Sequence, residues 1–399
     1  MKILIKACAN GNYGDDLFIL SILNRYADYL SSDNEVILLV YQMEKYSFLQ
    51  EKYNNIIVKL YPVPELWRRI VIRIIPGDRL KVSLKKKAYQ KAYRDITDTT
   101  YDVFINVGGS LLAHFEGEKF VLSNWLESFL AEKIVAKRKY LLNVNFQENM
   151  DESFKKECKD IISKYDDVCF RDRVSYEMFR DIKQCRMAPD MVLSMKSFFQ
   201  ENKNKNINSC VLGINAIDFN ENKRLSKSRS GHVNNYEHML VGVAKAYLEN
   251  GYEIRLFAFD DRSEEREYIH YLKRKIIESY PAGEKKIRVV EYSFSSVESF
   301  LGAYSCCTRL ITTRFHAVIS ALLLNINFYP IVYDEKISNF LKTIDFSNNY
   351  STLENLASTA EILDSLEKKP DFCYSVIDQG DNTFLKLDQF MKKGEHRVC

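Results

Sequence analysis

Along the first half of the chain, short apolar runs alternate with longer stretches of helical period. The runs are KILIKA (2–7), EVILLVY (35–41), IIVKLY (56–61), VFINVGG (103–109), YLLNVNF (140–146) and DVCFRDR (167–173). Between them lie helix-like segments such as LFILSILNRYADYL (17–30) and WLESFLAEKIVAK (125–137). Strand and helix patterns taken in turn predict a parallel sheet with helices on both faces. The alternation stops at QENKNKNINS (200–209), polar and without period, which reads as a linker. A second series then begins with SCVLGINA (209–216) and the helical YEHMLVGVAKAYLEN (236–250), which Gly251 stops. It continues through EIRLFAF (253–259), IRVVEYS (287–293), RLITT (309–313) and FYPIVY (328–333), and the tail from Asn382 to Val398 reads as a final helix. The predicted class is α/β, with two Rossmann-like domains at 1–199 and 210–380, a linker at 200–209, a C-terminal helix at 381–399 and an interdomain cleft as the default ligand site.

Length supports the division, because 399 residues exceed what one hydrophobic core usually serves. With 46% hydrophobic and 28% charged residues the chain has a soluble globular balance. A formal charge of +3 says little about partners, but its distribution says more. Residues 67–94, WRRIVIRIIPGDRLKVSLKKKAYQKAYR, hold ten Lys or Arg against the single Asp78, mixed at the start with Trp67 and a run of Ile and Val. Such a mixture suits an anionic membrane surface, or is simply a solvated basic helix and loop. No nucleic-acid motif accompanies it, so nucleic acid is not expected as a partner. The nine cysteines include no C-x-x-C, and Cys306 and Cys307 are adjacent. With no leader pattern at Met1-Lys2 and no membrane-length apolar run, a cytoplasmic protein with reduced, packing thiols and no metal is expected.

Four segments offer chemistry. LITTRFHAVISALL (310–323) puts Arg314 and His316 where a strand hands over to a helix, so a guanidinium and a group able to move protons near neutral pH flank a helix start. They either bind a small acidic substrate or are ordinary loop polars. KILIKACANGNYGDDLFIL (2–20) has Gly11 and Gly14 in a strand-to-helix turn, but no G-x-G-x-x-G and no Walker lysine. Asp15 and Asp16 at that helix start would repel an anion, so Asn12 and Asp16 suit sugar hydroxyls, or one aspartate merely caps. FINVGGSLLAHF (104–115) repeats the design at Gly108-Gly109, either to expose amides or to let strand and helix pack closely, with His114 a weaker candidate. CFRDRVSYEMF (169–179) places Arg171 and Asp172 at a strand exit, which on local grounds alone reads as surface ion pairing.

Taken in order, GNYGDD, NVGGSLL, CFRDRVS, APDMV and TTRFHAVISALL resemble the polysaccharide pyruvyl transferase family, over about residues 2–345. The resemblance implies two Rossmann-like domains in a GT-B-like arrangement. It implies a pyruvyltransferase moving pyruvate from phosphoenolpyruvate onto two hydroxyls of one sugar as a cyclic ketal, in bacterial surface polysaccharide (capsule) biosynthesis. On these positions the family's Arg-x-His pair falls on Arg314 and His316, implying donor binding and acid catalysis, and its Arg-Asp motif on Arg171 and Asp172. Its Gly-x-x-Gly-Asp turn falls on Gly11, Gly14 and Asp15. The expected catalytic set is therefore His316, Arg314 and Asp16, the last as base. Donor contacts are expected at Arg171, Arg314, His316 and Arg229, and acceptor contacts at Asn12, Gly14, Asp16, Gly108 and Gly109.

The sequence departs from the family where relatives carry an arginine after the first strand of the second domain: here Asn215 and Ala216 stand, and Arg224, Lys227 or Arg229 is left to supply the charge. No cofactor is expected beyond phosphoenolpyruvate as donor substrate. A polyisoprenoid-diphosphate-linked acceptor would bring residues 67–94 to the inner face of the plasma membrane, making the protein peripheral. The alternatives are a GT-B nucleotide-sugar glycosyltransferase, with Glu291 on the ribose, and a noncatalytic sugar-binding or scaffold protein.

Overall fold

A computed structural model describes residues 1–30, 34–66, 69, 78–112, 118–146, 150–204, 210–219 and 230–395. By internal contacts the chain divides into two units: Met1–Asn10, Phe18–Met191 and Gly380–Cys399 form one, and Gly11–Leu17 with Val192–Gln379 form the other. The turn that follows the first strand thus clusters with the second unit, and the C-terminal helix with the first.

The first unit is built on β1 (Lys2–Ala7), β2 (Glu35–Val40), β3 (Ile56–Leu60), β4 (Thr100–Val107), β5 (Val135–Val144), β6 (Asp167–Phe170) and β7 (Cys185–Met187). They pair in parallel in the order β3-β2-β1-β4-β5-β6-β7. Helices on both faces of a parallel sheet bury most of its central strands, which is why β2 reads as a nearly continuous apolar run and β1 and β4 as largely apolar ones. The last strand, β7, is only half-buried and too short to announce itself by pattern. Helix Glu118–Lys133 ends two residues before β5 begins, so the stretch read as one helix over 125–137 is a helix followed by a strand.

The second unit repeats the plan with β8 (Val211–Asn215), β9 (Glu253–Ala258), β10 (Ile287–Glu291), β11 (Arg309–Thr312), β12 (Asn327–Val332) and β13 (Ser351–Thr352), ordered β10-β9-β8-β11-β12-β13 and again parallel. Helix Ser230–Glu249 runs from the β8 side to β9 and ends at Gly251, whose φ of 87° is the left-handed stop expected of that glycine. Helix Phe315–Leu324 buries every residue except His316 and closes on Asn325 in the left-handed region.

In each sheet the strand order reverses once beside the unit's first strand, between β1 and β4 and between β8 and β11. Open α/β sheets bind ligands outside the carboxyl ends of the strands at such a point. Helix Lys196–Glu201 enters the stretch read as a linker, of which 205–209 lie outside the described residues. The tail is a 3-10 turn at Gly380–Phe384 leading into helix Leu385–Glu395. Among the described residues no helix is long and apolar enough to cross a membrane.

Candidate active site

The second unit gathers chemistry at the carboxyl ends of β8, β9 and β11. Arg314 stands two residues past β11 as the cap of helix Phe315–Leu324, and its backbone N–H donates to Asn215 Oδ1 on β8 at 2.9 Å. A neighbouring tie crosses the same gap: the Tyr236 hydroxyl pairs with Thr313 Oγ1 at 2.9 Å and accepts from Ile217 N at 3.3 Å. Asn215 and Ala216, where the resemblance leads one to expect an arginine, are fully buried, and Asn215 is spent on positioning Arg314. Arg229, the expected substitute cation, lies outside the described residues, as do Arg224 and Lys227.

The Arg314 guanidinium donates from Nε (3.2 Å) and Nη2 to the two oxygens of Glu265, a buried carboxylate in the first turn of helix Ser263–Ser279. Glu265 Oε1 also accepts from Phe259 N at 2.7 Å, which ties it to the exit of β9. Arg314 is therefore clamped along one edge and keeps Nη1 for another partner. Burial draws its pKa below the ordinary guanidinium value; Tyr333 and Asp260 push it up and Arg262 down. The starting value is so high that the charge stays. Beside it, Arg262 donates from Nε (2.8 Å) and Nη2 (2.6 Å) to Asp260. Desolvation pushes Asp260 up, but Arg262, Arg314 and Asn12 outweigh it and hold the carboxyl below its usual range.

The turn 11–17 packs into this same region. Tyr13 N donates to Phe259 O at 2.9 Å, Asp261 N to Gly11 O at 3.0 Å, and Asn12 Nδ2 to Asp260 Oδ2 at 3.1 Å, so the turn pairs with the exit of β9 like a short antiparallel strand. Tyr13 is a buried plug among Phe259, Tyr292 and Phe300, and its hydroxyl meets Ser320 Oγ at 2.8 Å. Gly14 lies flat against the imidazole of His316: a methyl there would overlap Nδ1. Gly11, at φ 72°, adopts a backbone that only glycine takes freely.

Several expected contacts change role. Asp16 has no exposure and accepts from the Tyr292 hydroxyl at 3.0 Å, so in this structure it is a buried anchor. Asn12 spends one end of its amide on Asp260 and the other on Gly14 N (3.1 Å), building the turn. Gly14 is buried against the imidazole of His316. Arg314, His316 and the turn are nonetheless brought to one end of the second unit's sheet.

Arg171, Gly108 and Gly109 come together in the first unit, and there they form a closed cluster. Arg171 donates to Asp190 Oδ2 at 3.1 Å and to Asn145 Oδ1 at 2.6 Å, with side-chain exposures of 6% for the arginine and none for the aspartate. A methyl on Gly109 would stand 2.7 Å from Arg171 Nη2, and Gly108 N is spent on Leu142 O. Asn143, at φ 62° in the irregular step of β5, carries Met191 N on its side chain. In this structure Arg171 is thus paired with a buried carboxylate, and Gly109 is packed tightly against its guanidinium. Asp172 caps helix Arg173–Phe179 through Ser175 N at 2.8 Å, and burial raises its pKa. His114 lies outside the described residues, and Glu291 is already held by His270 at 3.0 Å and Arg266 at 3.5 Å.

Sequence reasoning missed Glu265, Asp260 and Arg262. A faint signal existed in FDDRSEE (259–265), a charged cluster following an apolar strand. Among the described residues no group of His, Cys, Asp or Glu is placed to hold a metal ion.

Known structures repeat this architecture. The UDP-GlcNAc 2-epimerase of Methanocaldococcus jannaschii, in complex with UDP-GlcNAc and UDP, superposes with a TM-score of 0.56 at 12% identity, over 97% of this chain and 99% of that one. The enzyme of the same name from Neisseria meningitidis, bound to UDP-GlcNAc, gives 0.54 at 9% identity, over 98% and 100%. At such identities the likeness shows the fold, which is that of GT-B enzymes. No curated protein matches the sequence. The family model for polysaccharide pyruvyl transferase matches residues 12–335, from the turn that carries Gly14 to the helix after β12. With that match spanning most of its length, the chain belongs to the polysaccharide pyruvyl transferase family.

Proposed function

We propose that the protein transfers the pyruvyl group of phosphoenolpyruvate to two hydroxyls of one sugar, closing a cyclic ketal on a bacterial surface-polysaccharide precursor. The observation that carries this reading is the joint after β11. A clamped guanidinium with one edge still available and a half-buried imidazole stand two residues apart at a sheet's switch point. In this reading Arg314 holds the carboxylate of the donor. His316 delivers a proton to the methylene carbon, which turns the central carbon electrophilic. A sugar hydroxyl adds there, the C–O bond to phosphate breaks, and the second hydroxyl adds to the resulting oxocarbenium carbon. One hydroxyl proton ends, in balance, on the new methyl group and the other leaves with phosphate. We assign the base role to Asp15, the half-exposed carboxylate of the turn, in place of the buried Asp16.

The test is phosphate release from phosphoenolpyruvate with a panel of free and polyisoprenoid-diphosphate-linked sugars, the product read by mass. Turnover of a nucleotide sugar, with no phosphate released from phosphoenolpyruvate by any acceptor, would replace this reading with glycosyl transfer. A protein that binds sugars but turns over neither donor would be a scaffold.

A lipid-linked acceptor also suits the first unit's surface. Of residues 67–94, positions 67, 68 and 70–77 lie outside the described residues. The flanking described residues leave large apolar groups in water, with Val63 64% and Leu66 68% exposed, and Leu80 opens a helix whose Lys87 and Lys91 are exposed. Apolar groups beside lysines favour an anionic bilayer over a neutral one. We therefore propose peripheral docking, expected as co-flotation with phosphatidylserine vesicles at low salt and its loss with phosphatidylcholine alone.

A further inference from the structure

We infer that Arg262 is a second donor-binding residue, gripping the phosphate of the donor while Arg314 holds its carboxylate. The inference rests on the phosphoenolpyruvate reading and adds a residue that neither the motifs nor the family resemblance assigns.

The chemistry poses the need. The donor carries two anionic groups on a three-carbon frame, and one guanidinium edge satisfies only one of them. The exit of β8 supplies no second cation among the described residues, because Asn215, Ala216 and Ile217 are buried and uncharged. Arg314 by itself is a weak lure for an anion, since Glu265 already neutralises it.

The fold supplies a candidate on the other side of β8. Sheet order puts β9 and β11 on either flank of β8, and Arg262 follows β9 as Arg314 follows β11. Arg262 is the cap of helix Ser263–Ser279, and Glu265, three residues on, is the group that clamps Arg314. The two arginines are therefore tied to the same short stretch after β9, Arg262 through Asp260 and Arg314 through Glu265. Asp260 feels both charges, and the charge of Arg262 works against that of Arg314.

Orientation makes the pair attractive to an anion although its charges cancel. Both guanidinia are held along the same edge, from Nε and Nη2, so each keeps Nη1 for a ligand. The carboxylates lie beneath, with side-chain exposures of 1% for Asp260 and 5% for Glu265, whereas the arginines reach out to 56% and 19%. Two ion pairs set with positive ends outward present preorganised donors to an anion with no reorganisation needed. The more buried Arg314 suits the carboxylate, which stays with the product. The more exposed Arg262 suits the phosphate, which must leave to solvent.

The ordinary alternative is that Arg262 only neutralises the buried Asp260. The full-length protein decides between them by thermal-shift and calorimetric titration with phosphoenolpyruvate and, separately, inorganic phosphate. Arg262→Gln is expected to weaken both ligands about tenfold or more, the loss of one charge-assisted hydrogen bond. Arg262→Lys should recover part of it. Because Arg262→Gln leaves Asp260 unpaired and lowers stability on that ground alone, the double variant Asp260→Asn/Arg262→Gln is the control. It should regain stability but not ligand affinity. Recovery of both in the double variant, or wild-type affinity in Arg262→Gln, would overturn the assignment and leave the donor reading intact. Failure of the wild-type protein to bind phosphoenolpyruvate at all would instead overturn the donor reading, and this assignment with it.

Discussion

Gly109 and Arg314 occupy corresponding places: each stands two residues past the fourth strand of a parallel sheet whose strands follow the same order around the switch point. In the first unit that place is a glycine, because the Arg171 guanidinium, arriving from the exit of β6, lies on top of it and leaves no room for a side chain. In the second unit the guanidinium belongs to the place itself and reaches outward. The same contrast runs through the charges nearby. The first unit buries Lys6 against Glu127 at 2.5 Å, with Asn106 bonded to both and to the Tyr165 hydroxyl at 2.9 Å, so every partner is inside. The second unit buries the carboxylates more deeply than their arginines, leaving Arg262 half in water and Arg314 partly exposed. One topology thus yields a closed charge cluster that fixes structure and an open one that offers donors to a ligand.

The sharpest way to break that distinction is to open the closed cluster. Glu127→Ala strips the ammonium of Lys6 of its carboxylate in a fully buried setting and should cost about 3–5 kcal/mol of stability. Chemical denaturation measures the loss, while phosphate release per folded molecule stays unchanged. Replacing both partners with apolar residues, Lys6→Met with Glu127→Leu, should restore most of it, because the desolvation cost disappears with the charges. A large loss of turnover in folded Glu127→Ala would mean that the first unit's cluster is not merely structural.

The next largest effect is expected at the contact between the turn and His316. Gly14 lies within helix Tyr13–Arg25, where alanine is intrinsically favoured over glycine by about 1 kcal/mol, so Gly14→Ala has no backbone reason to destabilise. Its methyl must nevertheless push the imidazole aside. Turnover is expected to fall about a hundredfold, the lower range for losing a positioned acid, with a smaller change in donor KM. Unchanged turnover would remove His316 from the acid role.

The sequence discloses these features unevenly, for physical reasons. Arg314 and His316 are legible because strand, turn and helix are contiguous there, so local pattern alone brings them to a strand's carboxyl end. The strands themselves are legible because two covered faces require unbroken apolar runs, as in EVILLVY. Glu265 is not legible: it meets Arg314 across 49 residues of sequence and looks like any acidic residue in a first helical turn. Asp16 misleads for the same reason. A carboxylate at a helix start is usually a solvated cap, and only the tertiary position of Tyr292, 276 residues away, makes this one a buried anchor. Nor does local pattern reveal that residues 11–17 pack with the second unit, since the partner strand exit at Phe259 comes far later in the chain.

A smaller effect sharpens the open cluster. Glu265→Ala frees one edge of Arg314 and leaves the buried Phe259 N–H unsatisfied, so a loss of about 1–3 kcal/mol in stability is expected. Donor KM should rise about tenfold as the guanidinium loses its fixed orientation. Glu265→Gln keeps an acceptor for Phe259 N and one bond to Arg314, and is expected to recover stability and most of the affinity. If alanine lowers stability while donor KM stays put, the clamp holds the fold and not the ligand.

The smallest effect lies in pH, where the two units should respond with opposite sign. Asp260 is held below the ordinary aspartate value, so its contribution to stability is present above that value and is lost as pH falls through the lower, folded one. Asp172 is raised by burial, so its contribution is present below the ordinary value and is lost as pH rises through the higher, folded one. Measured by denaturant midpoint across the acid range, the stability difference between wild type and Asp260→Asn should grow as pH rises. The difference between wild type and Asp172→Asn should shrink over the same interval. Parallel slopes would mean that Arg262 and Arg314 do not hold the Asp260 charge in place, and the outward-facing arrangement of that cluster would lose its electrostatic basis.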